Sequence, residues 1–355
     1  MGKKTKKNDD KMEVTVLPIS GGSFPYQVGI LKFLVKHVGY DSELLLGSSG
    51  GSVAAYILHE ADFKYDNIDN VACSLTSQMF CREWSNALPI LGYACGYMHK
   101  GAIFRDGTGG EQFLRAGFDN ISIQKREIWS GTYNITAGKS QLFCNRSMHN
   151  SLLGKFNLDK SLYQICDNIY CGGNINLIAD AIMASASIPG VVPAKNIGGH
   201  LYQDGGLSAA SPMTLLNSLF DKYDKLNITY INSEDLNTNN TSLTSRGVLG
   251  GITQARDSVI KNIIAHDRMS CSQVLFRSCT ECRCDQAPLL YKSMPLNEDT
   301  IHTIYDIIKS SRKSLTEYYT DYRPPIDITN FTSNDVIEGI RFAEHNSYCN
   351  IWYCL

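Results

Sequence analysis

The chain has 355 residues, of which 43% are hydrophobic, enough to bury one large core with an extension or a second domain. Its formal net charge of −2 excludes a strongly basic nucleic-acid-binding protein, so we expect no nucleic-acid partner. No window reaches the roughly 18 apolar residues of a membrane-spanning helix, so we expect any contact with a membrane to be peripheral.

The first twelve residues (1–12) are polar and rich in lysine, which predicts a disordered tail. No apolar stretch follows the lysines, so the segment lacks the pattern of a secretory signal. We therefore predict an intracellular protein that is not secreted, either soluble or peripherally attached to a membrane. A myristoylation signal at Gly2 would need Ser or Thr where Lys6 stands. The lysines favour a solubilising tail or weak attraction to anionic lipid.

The first predicted strand, Met12–Pro18, leads into a short loop with two glycines and then into a helix with an apolar face. The loop has the sequence Ser20-Gly21-Gly22-Ser23-Phe24-Pro25, and the helix starts near Tyr26. Glycine amides between a strand and a helix can turn toward an anion. The patterns of dinucleotide-binding and phosphate-binding loops are both incomplete here. The loop therefore predicts either an oxyanion-binding segment or an ordinary turn.

The second predicted strand, Leu44–Leu46, leads into the pentapeptide Gly47-Ser48-Ser49-Gly50-Gly51, and a helical pattern begins at Ser52. A G-x-S-x-G sequence between a strand and a helix predicts a sharp turn. Such a turn exposes the serine hydroxyl at a helix N-terminus, where negative charge is favoured. Ser49 is therefore a candidate nucleophile. Several strands precede the nucleophile in an α/β-hydrolase, so the early position of this turn disfavours that fold.

A third segment supplies a candidate base. Residues 180–190 predict a helix of small residues that is stopped by Pro189, and residues 201–206 predict a short strand that ends in Asp204-Gly205-Gly206. An Asp-Gly-Gly sequence alone is typical of a turn. Beside a nucleophilic serine, however, a buried carboxylate can accept the hydroxyl proton, so Asp204 is a candidate general base.

Taken together, these segments resemble the patatin-like phospholipase family. The resemblance covers about residues 13–216 and rests on four ordered matches: Ser20-Gly21-Gly22 with Tyr26–Leu31 after it, Gly47–Ser52, Ala184–Pro189 and Asp204–Gly206. It implies a lipid acyl hydrolase that cleaves acyl esters of phospholipids and related lipids. It also implies a Ser-Asp dyad without histidine.

By this resemblance, Ser49 is the nucleophile and Asp204 the base, and the reaction passes through an acyl-serine with no metal or other cofactor. The resemblance also assigns oxyanion donors, the amides of Gly21, Gly22 and Gly50, and glycines that support the two motifs, Gly47, Gly51, Gly205 and Gly206. The family's loop usually has a third glycine, then a small residue, a basic residue and another glycine. This chain has the shorter sequence Ser23-Phe24-Pro25 instead, which offers fewer flexible amides.

Two alternatives remain open. A catalytically impaired patatin-like scaffold that binds lipid or a protein partner would account for the altered loop. A triad serine esterase would instead use a late histidine as its base, for which the candidates are His200, His266, His302 and His345.

Two further segments have a notable composition. Cys271, Cys279, Cys282 and Cys284 form a candidate zinc site, although the cluster lacks the two well-separated ligand pairs of a zinc ribbon. The apolar segment Met79–Met98 is broken by proline and glycine, and it predicts either a lid at a lipid interface or an insertion in the core.

The order of the predicted elements favours a three-layer α/β/α sandwich with a mainly parallel central sheet. Residues 13–231 would form the catalytic domain, and the polar segment 232–245 is the best domain boundary. Residues 232–355 predict a mainly helical extension packed on this core. Its predicted elements are helices at residues 250–269, 299–319 and 334–346 and a strand at residues 288–293.

Overall fold

The computed structural model describes residues 8–82, 104–120, 126–146, 164–165, 175–207, 223–233, 289–320 and 330–354, and the single residues 102, 216, 219 and 326. The strands are β1 (Asn8–Leu17), β2 (Leu44–Ser48), β3 (Cys81–Arg82), β4 (Arg105–Asp106), β5 (Glu127–Asn134), β6 (Lys139–Cys144), β7 (Gln164–Ile165), β8 (Lys195–Ile197), β9 (His200–Asp204), β10 (Tyr223–Ile231), β11 (Leu289–Pro295), β12 (Lys313–Thr320) and β13 (Ser347–Cys354). The helices are α1 (Phe24–Val38), α2 (Gly50–Glu60), α3 (Tyr65–Ala72), α4 (Ser77–Phe80), α5 (Gly110–Asn120), α6 (Ile175–Ser185), α7 (Glu298–Ser310) and α8 (Ser333–His345). Short 3-10 turns lie at Gly21–Ser23 and Gly205–Leu207.

The core of the fold is one large mixed sheet flanked by helices, a three-layer α/β/α sandwich as predicted. Nine strands follow the order β11-β13-β12-β10-β1-β2-β5-β6-β7, while β9 pairs with β5 and β8 pairs with β9. The five strands from β12 to β5 are parallel to one another. Antiparallel pairing occurs on both sides of this parallel centre.

Two strands of the parallel centre are buried along their whole length, the mostly apolar β2 and the partly polar β12. Leu44, Leu45 and Leu46 of β2 are fully buried, and every residue of β12 is buried. Within the described residues, no helix is both long enough and apolar enough to cross a membrane.

The N-terminal prediction is wrong for residues 8–12, which belong to β1 and not to a disordered tail. The backbone of Asn8 lies opposite Tyr223 of β10, and the side chain of Met12 is buried. Pairing with β10 therefore orders this polar stretch, although its sequence has no strand pattern of its own. Residues 1–7 lie outside the described part of the chain.

The C-terminal prediction is partly correct. The predicted helix at residues 334–346 is confirmed as α8, and the predicted strand at residues 288–293 is confirmed as β11. The predicted helix at residues 299–319 is wrong beyond Ser310. There the backbone becomes extended at Ser311, and residues 313–320 form β12, because their β-branched and aromatic side chains suit a buried strand.

The described C-terminal residues therefore add three strands to the central sheet as well as two helices. The predicted helix at residues 250–269 and most of the predicted boundary at residues 232–245 lie outside the described part of the chain. The division into a catalytic domain (13–231) and an extension (232–355) stays a prediction.

Helix α8 packs closely on α1, the helix that follows the glycine loop. A Cβ atom on Gly29 would overlap the backbone carbonyl of Ile340, so the two helices approach more closely than most side chains permit. Lys32 of α1 donates hydrogen bonds to Asp69 of α3 (2.8 Å) and to Glu344 of α8 (3.3 Å). The C-terminal residues are thus bound tightly to the element that carries the loop.

His59, in the last turn of α2, is a buried histidine in apolar surroundings. Its side chain is 3% exposed, and neither ring nitrogen has a hydrogen-bond partner in the described structure. Burial first, and then the charges of Arg126 and Arg146, lower its pKa to about 4 against the opposing effect of Asp62. The ring is therefore neutral in the folded protein near pH 7.

We predict that His59→Phe removes part of the acid sensitivity of the fold. Because the pKa of His59 lies below the usual 6.5 of the unfolded chain, the unfolded state binds the proton first as the pH falls. Stability is therefore lost between pH 6.5 and 4, and the loss at pH 5 relative to pH 7 is about 2 kcal/mol. Urea unfolding at both pH values measures this difference. The same pH dependence of the free energy of unfolding in the wild type and in His59→Phe would contradict the prediction.

Candidate active site

Strands β2 and β9 meet end to end along the same side of β5. Strand β2 pairs with β5 up to the pair Ser48↔Gly131, and β9 pairs with it from Thr132↔Asp204 onward. Strand β6 occupies the other side of β5. Since residues 131 and 132 are consecutive, the last residues of β2 and β9 are offset by only about 3.3 Å along β5. This arrangement brings Ser49, which follows β2, next to Asp204.

Ser49 occupies a sharp turn between β2 and α2, as the sequence predicts. Its backbone has φ 55° and ψ −131°, in the left-handed region that an L-residue avoids. Such a conformation costs about 1–3 kcal/mol and persists only where the surroundings enforce it. Helix α2 begins at the next residue, so the serine lies at a helix N-terminus, which favours negative charge.

The side chains of Ser49 and Asp204 are in direct contact. The Ser49 Oγ donates a hydrogen bond of 2.6 Å to Asp204 Oδ2. The side chain of Asp204 is oriented by Gly206, whose N–H donates to the other carboxylate oxygen, Oδ1, at 2.8 Å. Ser49 is 1% exposed and Asp204 is 5% exposed, so the pair lies away from bulk water. A carboxylate held this way can accept the proton of a serine that attacks a carbonyl carbon.

Five of the predicted glycines, Gly47, Gly50, Gly51, Gly205 and Gly206, lie where a Cβ atom would overlap a neighbouring atom. A Cβ atom on Gly50 would lie 2.5 Å from the carbonyl oxygen of Gly21 and 2.6 Å from Ser20 Oγ, so the glycine loop touches the serine turn. Three glycines that support the motifs are constrained by backbone atoms, Gly47 by Ser52, Gly51 by Leu17 and Gly205 by Gly131, whereas Gly206 meets the flexible end of the Ile19 side chain. Contact between these turns therefore requires glycine.

The unusual Ser23-Phe24-Pro25 sequence is accommodated by local helical structure. The N–H of Ser23 donates to the carbonyl of Ser20 (2.8 Å) in a 3-10 turn, and Pro25 is the second residue of α1. A proline in the first turn of a helix removes no helical hydrogen bond. The loop before it keeps Gly21 in the left-handed region (φ 50°) with open space around it.

A cleft lies beside Ser49, and the empty space in it and at its open mouth totals about 410 Å³. Gly21 and Gly50 line it, whereas Gly22 is buried in the 3-10 turn. The rest of the described lining is almost entirely apolar: Phe24, Val53, Phe80, Cys81, Ala186, Ile188, Val192 and Phe331. The cleft therefore suits an apolar ligand that reaches the Ser49 hydroxyl.

Comparison with known families matches residues 20–216 to the model described as patatin-like phospholipase. The match spans more than half of the chain. This chain belongs to the patatin-like phospholipase family. Membership supports lipid acyl hydrolase activity in general terms. Among solved structures, the chain is similar to VipD from Legionella pneumophila, with 10% identity and a TM-score of 0.35 over 96% of this chain and 68% of VipD. No curated protein matches the sequence.

Phe331 was not predicted as part of the site. It lies well beyond the residues matched to the patatin-like family, in the segment that precedes α8. Its ring centroid is 6.0 Å from that of Phe24 and 6.2 Å from that of Phe80, and its carbonyl accepts the N–H of Ser77 at 3.2 Å. The sequence around Phe331 has no motif that would have indicated this position.

The histidine alternative has no geometric support among the described residues. Ser49 Oγ donates its hydrogen bond to Asp204, and none of the three described candidates lines the cleft. His302 and His345 are exposed on α7 and α8, and His200 lies on β9. His266 lies outside the described residues.

The described residues include only a small part of the two segments on which the remaining predictions rest, the cysteine cluster and the apolar segment. The cysteine cluster Cys271, Cys279, Cys282 and Cys284 lies outside the described residues. Of the segment Met79–Met98, the described residues include Phe80 and Cys81, and both line the cleft. The choice between a lid and a core insertion for the rest of that segment stays a prediction.

We predict that Gly50→Ala destabilises the fold much more than Gly21→Ala. The first change forces a methyl group against the backbone of Gly21, which should cost about 3 kcal/mol or more, because a clash with backbone cannot be relieved by rotating a side chain. The second meets no atom and adds only backbone strain of about 1–2 kcal/mol. Urea unfolding of both variants measures the difference. Equal destabilisation would show that the two turns are not in contact.

Proposed function

We propose that the protein is a lipid acyl hydrolase that cleaves acyl esters of phospholipids or related lipids through a Ser49-Asp204 dyad. The observation that carries this proposal is the 2.6 Å hydrogen bond from Ser49 Oγ to Asp204 Oδ2 beside an apolar cleft. Membership of the patatin-like phospholipase family supports an acyl-ester lipid as the substrate. Both side chains are buried, which strengthens the interaction between the hydroxyl and the carboxylate.

The reaction proceeds in two steps. Ser49 Oγ attacks the ester carbonyl carbon while Asp204 takes its proton, and the tetrahedral intermediate collapses when this proton passes to the departing alcohol. The acyl group is then bound to Ser49. A water molecule attacks the acyl-serine, Asp204 takes a proton from the water, and the same proton returns to Ser49 Oγ as the fatty acid leaves.

The developing oxyanion would be bound by the amides of Gly50 and Gly21, with Gly22 as a third predicted donor. The amide of Gly50 belongs to the first turn of α2, where N–H groups have no acceptor within the helix. Gly21 and Gly50 both line the cleft, and their backbones are in contact. An oxyanion donor of this kind typically contributes about a hundred- to a thousandfold in rate.

The acyl chain would lie in the cleft against the rings of Phe24, Phe80 and Phe331. The described lining provides apolar contacts along most of its length and no charged side chain. Burial of each methylene group there contributes about 0.8 kcal/mol, so the cleft selects an acyl chain in preference to a polar headgroup. Peripheral contact with a membrane would bring the lipid to the cleft.

We predict that Ser49→Ala and Asp204→Asn each lower kcat by at least about a thousandfold while leaving the circular dichroism spectrum unchanged. Fatty acid release is measured from phospholipid vesicles and from a short-chain p-nitrophenyl ester. Labelling with a fluorophosphonate probe gives a second readout, because it requires a reactive Ser49.

The two rival functions give different results in the same experiment. If the wild type shows no activity above Ser49→Ala on either substrate, the protein is a lipid-binding or partner-binding scaffold. If activity survives in Asp204→Asn but is lost when a late histidine is changed, the enzyme uses a triad and not the dyad.

We predict that the size of residue 331 determines the preferred acyl chain length. Phe331→Ala removes one wall of the cleft and should raise the ratio of kcat/KM for a dodecanoyl ester to that for a butyryl ester by at least about fivefold. Phe331→Trp should change this ratio in the opposite direction. A series of p-nitrophenyl esters measures it, and an identical chain-length profile in all three proteins would contradict the prediction.

A further inference from the structure

Residues Ser185–Ser187 form a tight turn at the end of α6, and the proposed reaction gives the hydroxyl groups of its two serines no role. We call it the bridging turn. It belongs to the Ala184–Pro189 motif by which the sequence resembles its family. The side chain of Ser185 is fully buried and that of Ser187 is 1% exposed. Two buried hydroxyl groups next to a catalytic pair need a physical explanation, because buried polar groups are costly unless they form hydrogen bonds.

Ser185 is bonded directly to the backbone of the proposed nucleophile. The N–H of Ser49 donates to Ser185 Oγ at 2.8 Å. The Ser185 hydroxyl in turn donates to the carbonyl of Gly131, in β5, at 2.6 Å. Ser185 therefore connects the strained serine turn to the strand on which β2 and β9 meet. This hydroxyl does not line the cleft in the described structure, so it acts on Ser49 and not on a ligand.

The direction of these hydrogen bonds follows from the number of protons available. A serine hydroxyl has one proton, and Ser185 gives its own to Gly131. In the contact between Ser52 Oγ and Ser185 Oγ (3.1 Å), Ser52 must therefore be the donor. In the contact between Ser130 Oγ and Ser52 Oγ (2.9 Å), Ser130 is then the donor. The three hydroxyls form a chain that runs in one direction and presents acceptor lone pairs of Ser185 to the Ser49 amide.

The same turn holds the proposed base. The N–H of Asp204 donates to the carbonyl of Ser187 at 3.1 Å. The Ser187 hydroxyl donates to the carbonyl of Met183 at 2.8 Å, which fixes the turn to the end of α6. The bridging turn thus bonds to the backbone of both Ser49 and Asp204.

We propose that Ser185 is a positioning residue that holds Ser49 in its left-handed conformation and aims its hydroxyl at Asp204. This inference rests on the proposed function of Ser49 as the nucleophile. Without the Ser185 hydroxyl, the Ser49 N–H and the Gly131 carbonyl each lose a buried hydrogen-bond partner. The strained turn also loses the hydrogen bond that keeps the Ser49 backbone from relaxing to a more favourable conformation. A small displacement of a reacting group is enough to slow a reaction by about a hundredfold.

The test compares Ser185→Ala with Ser42→Ala, a matched control. Ser42 is also buried, and its hydroxyl contacts the carbonyls of Glu13 and Leu44 and the Tyr40 hydroxyl, none of which lines the cleft. Both changes should lower the melting temperature. Only Ser185→Ala should lower kcat, by about 10- to 100-fold, with KM within about threefold of the wild type. The rate of fluorophosphonate labelling of Ser49 should fall in parallel with kcat.

A second variant covers the case in which Ser185→Ala does not fold. Ser185→Cys keeps nearly the same size but offers a weaker acceptor and donor, so it should fold and show an intermediate loss of kcat. Wild-type kcat in a folded Ser185→Ala or Ser185→Cys protein would overturn the inference. An equal loss of kcat in Ser42→Ala would also overturn it, because the effect would then be general destabilisation. A wild type no more active than Ser49→Ala would overturn the proposed function itself.

Discussion

The meeting of β2 and β9 on one side of β5 is the constraint on which the rest of the site depends. Two strands can meet there only if their ends approach without side chains between them, and Gly205 provides that space, because a Cβ atom on it would lie 2.4 Å from the Gly131 carbonyl oxygen and 2.7 Å from Ser48 Oγ. The pairs Ser48↔Gly131 and Thr132↔Asp204 then place a serine turn and an acidic turn side by side. The 2.6 Å hydrogen bond between Ser49 and Asp204 is a consequence of this strand pairing.

Strain at Ser49 is offset by its surroundings. The left-handed backbone is unfavourable alone, but the turn gains contacts from the glycine loop on one side and from the hydroxyl chain ending at Ser185 on the other. These contacts come from segments far apart in sequence, so the conformation depends on the complete fold. Helix α8 supports the serine turn only indirectly, because it packs against α1, the helix that follows the glycine loop.

Much of this arrangement was predictable from sequence because its key signals are local. The strand-turn-helix pattern around Ser49 and the Asp204-Gly205-Gly206 turn depend on neighbouring residues, and their order indicated the family and the fold class. The strand at residues 313–320 was missed because its apolar residues Leu315, Tyr318 and Tyr319 have a helical spacing, and only its place between β10 and β13 determines its structure. Phe331 and the hydroxyl of Ser185 could not be assigned because their contacts join segments far apart in the chain.

The residues proposed to perform the reaction and Phe331, which lines the cleft, lie in different parts of the chain. The residues proposed to perform the reaction lie between Gly21 and Asp204 and are bound to one rigid strand pairing, whereas one wall of the cleft comes from a segment more than a hundred residues later. On the proposed function, a substitution at Phe331 would alter which acyl chain fits while the serine and the carboxylate stay unchanged. Selectivity in this protein can therefore diverge independently of reactivity, through substitutions in a region that the family pattern leaves unspecified.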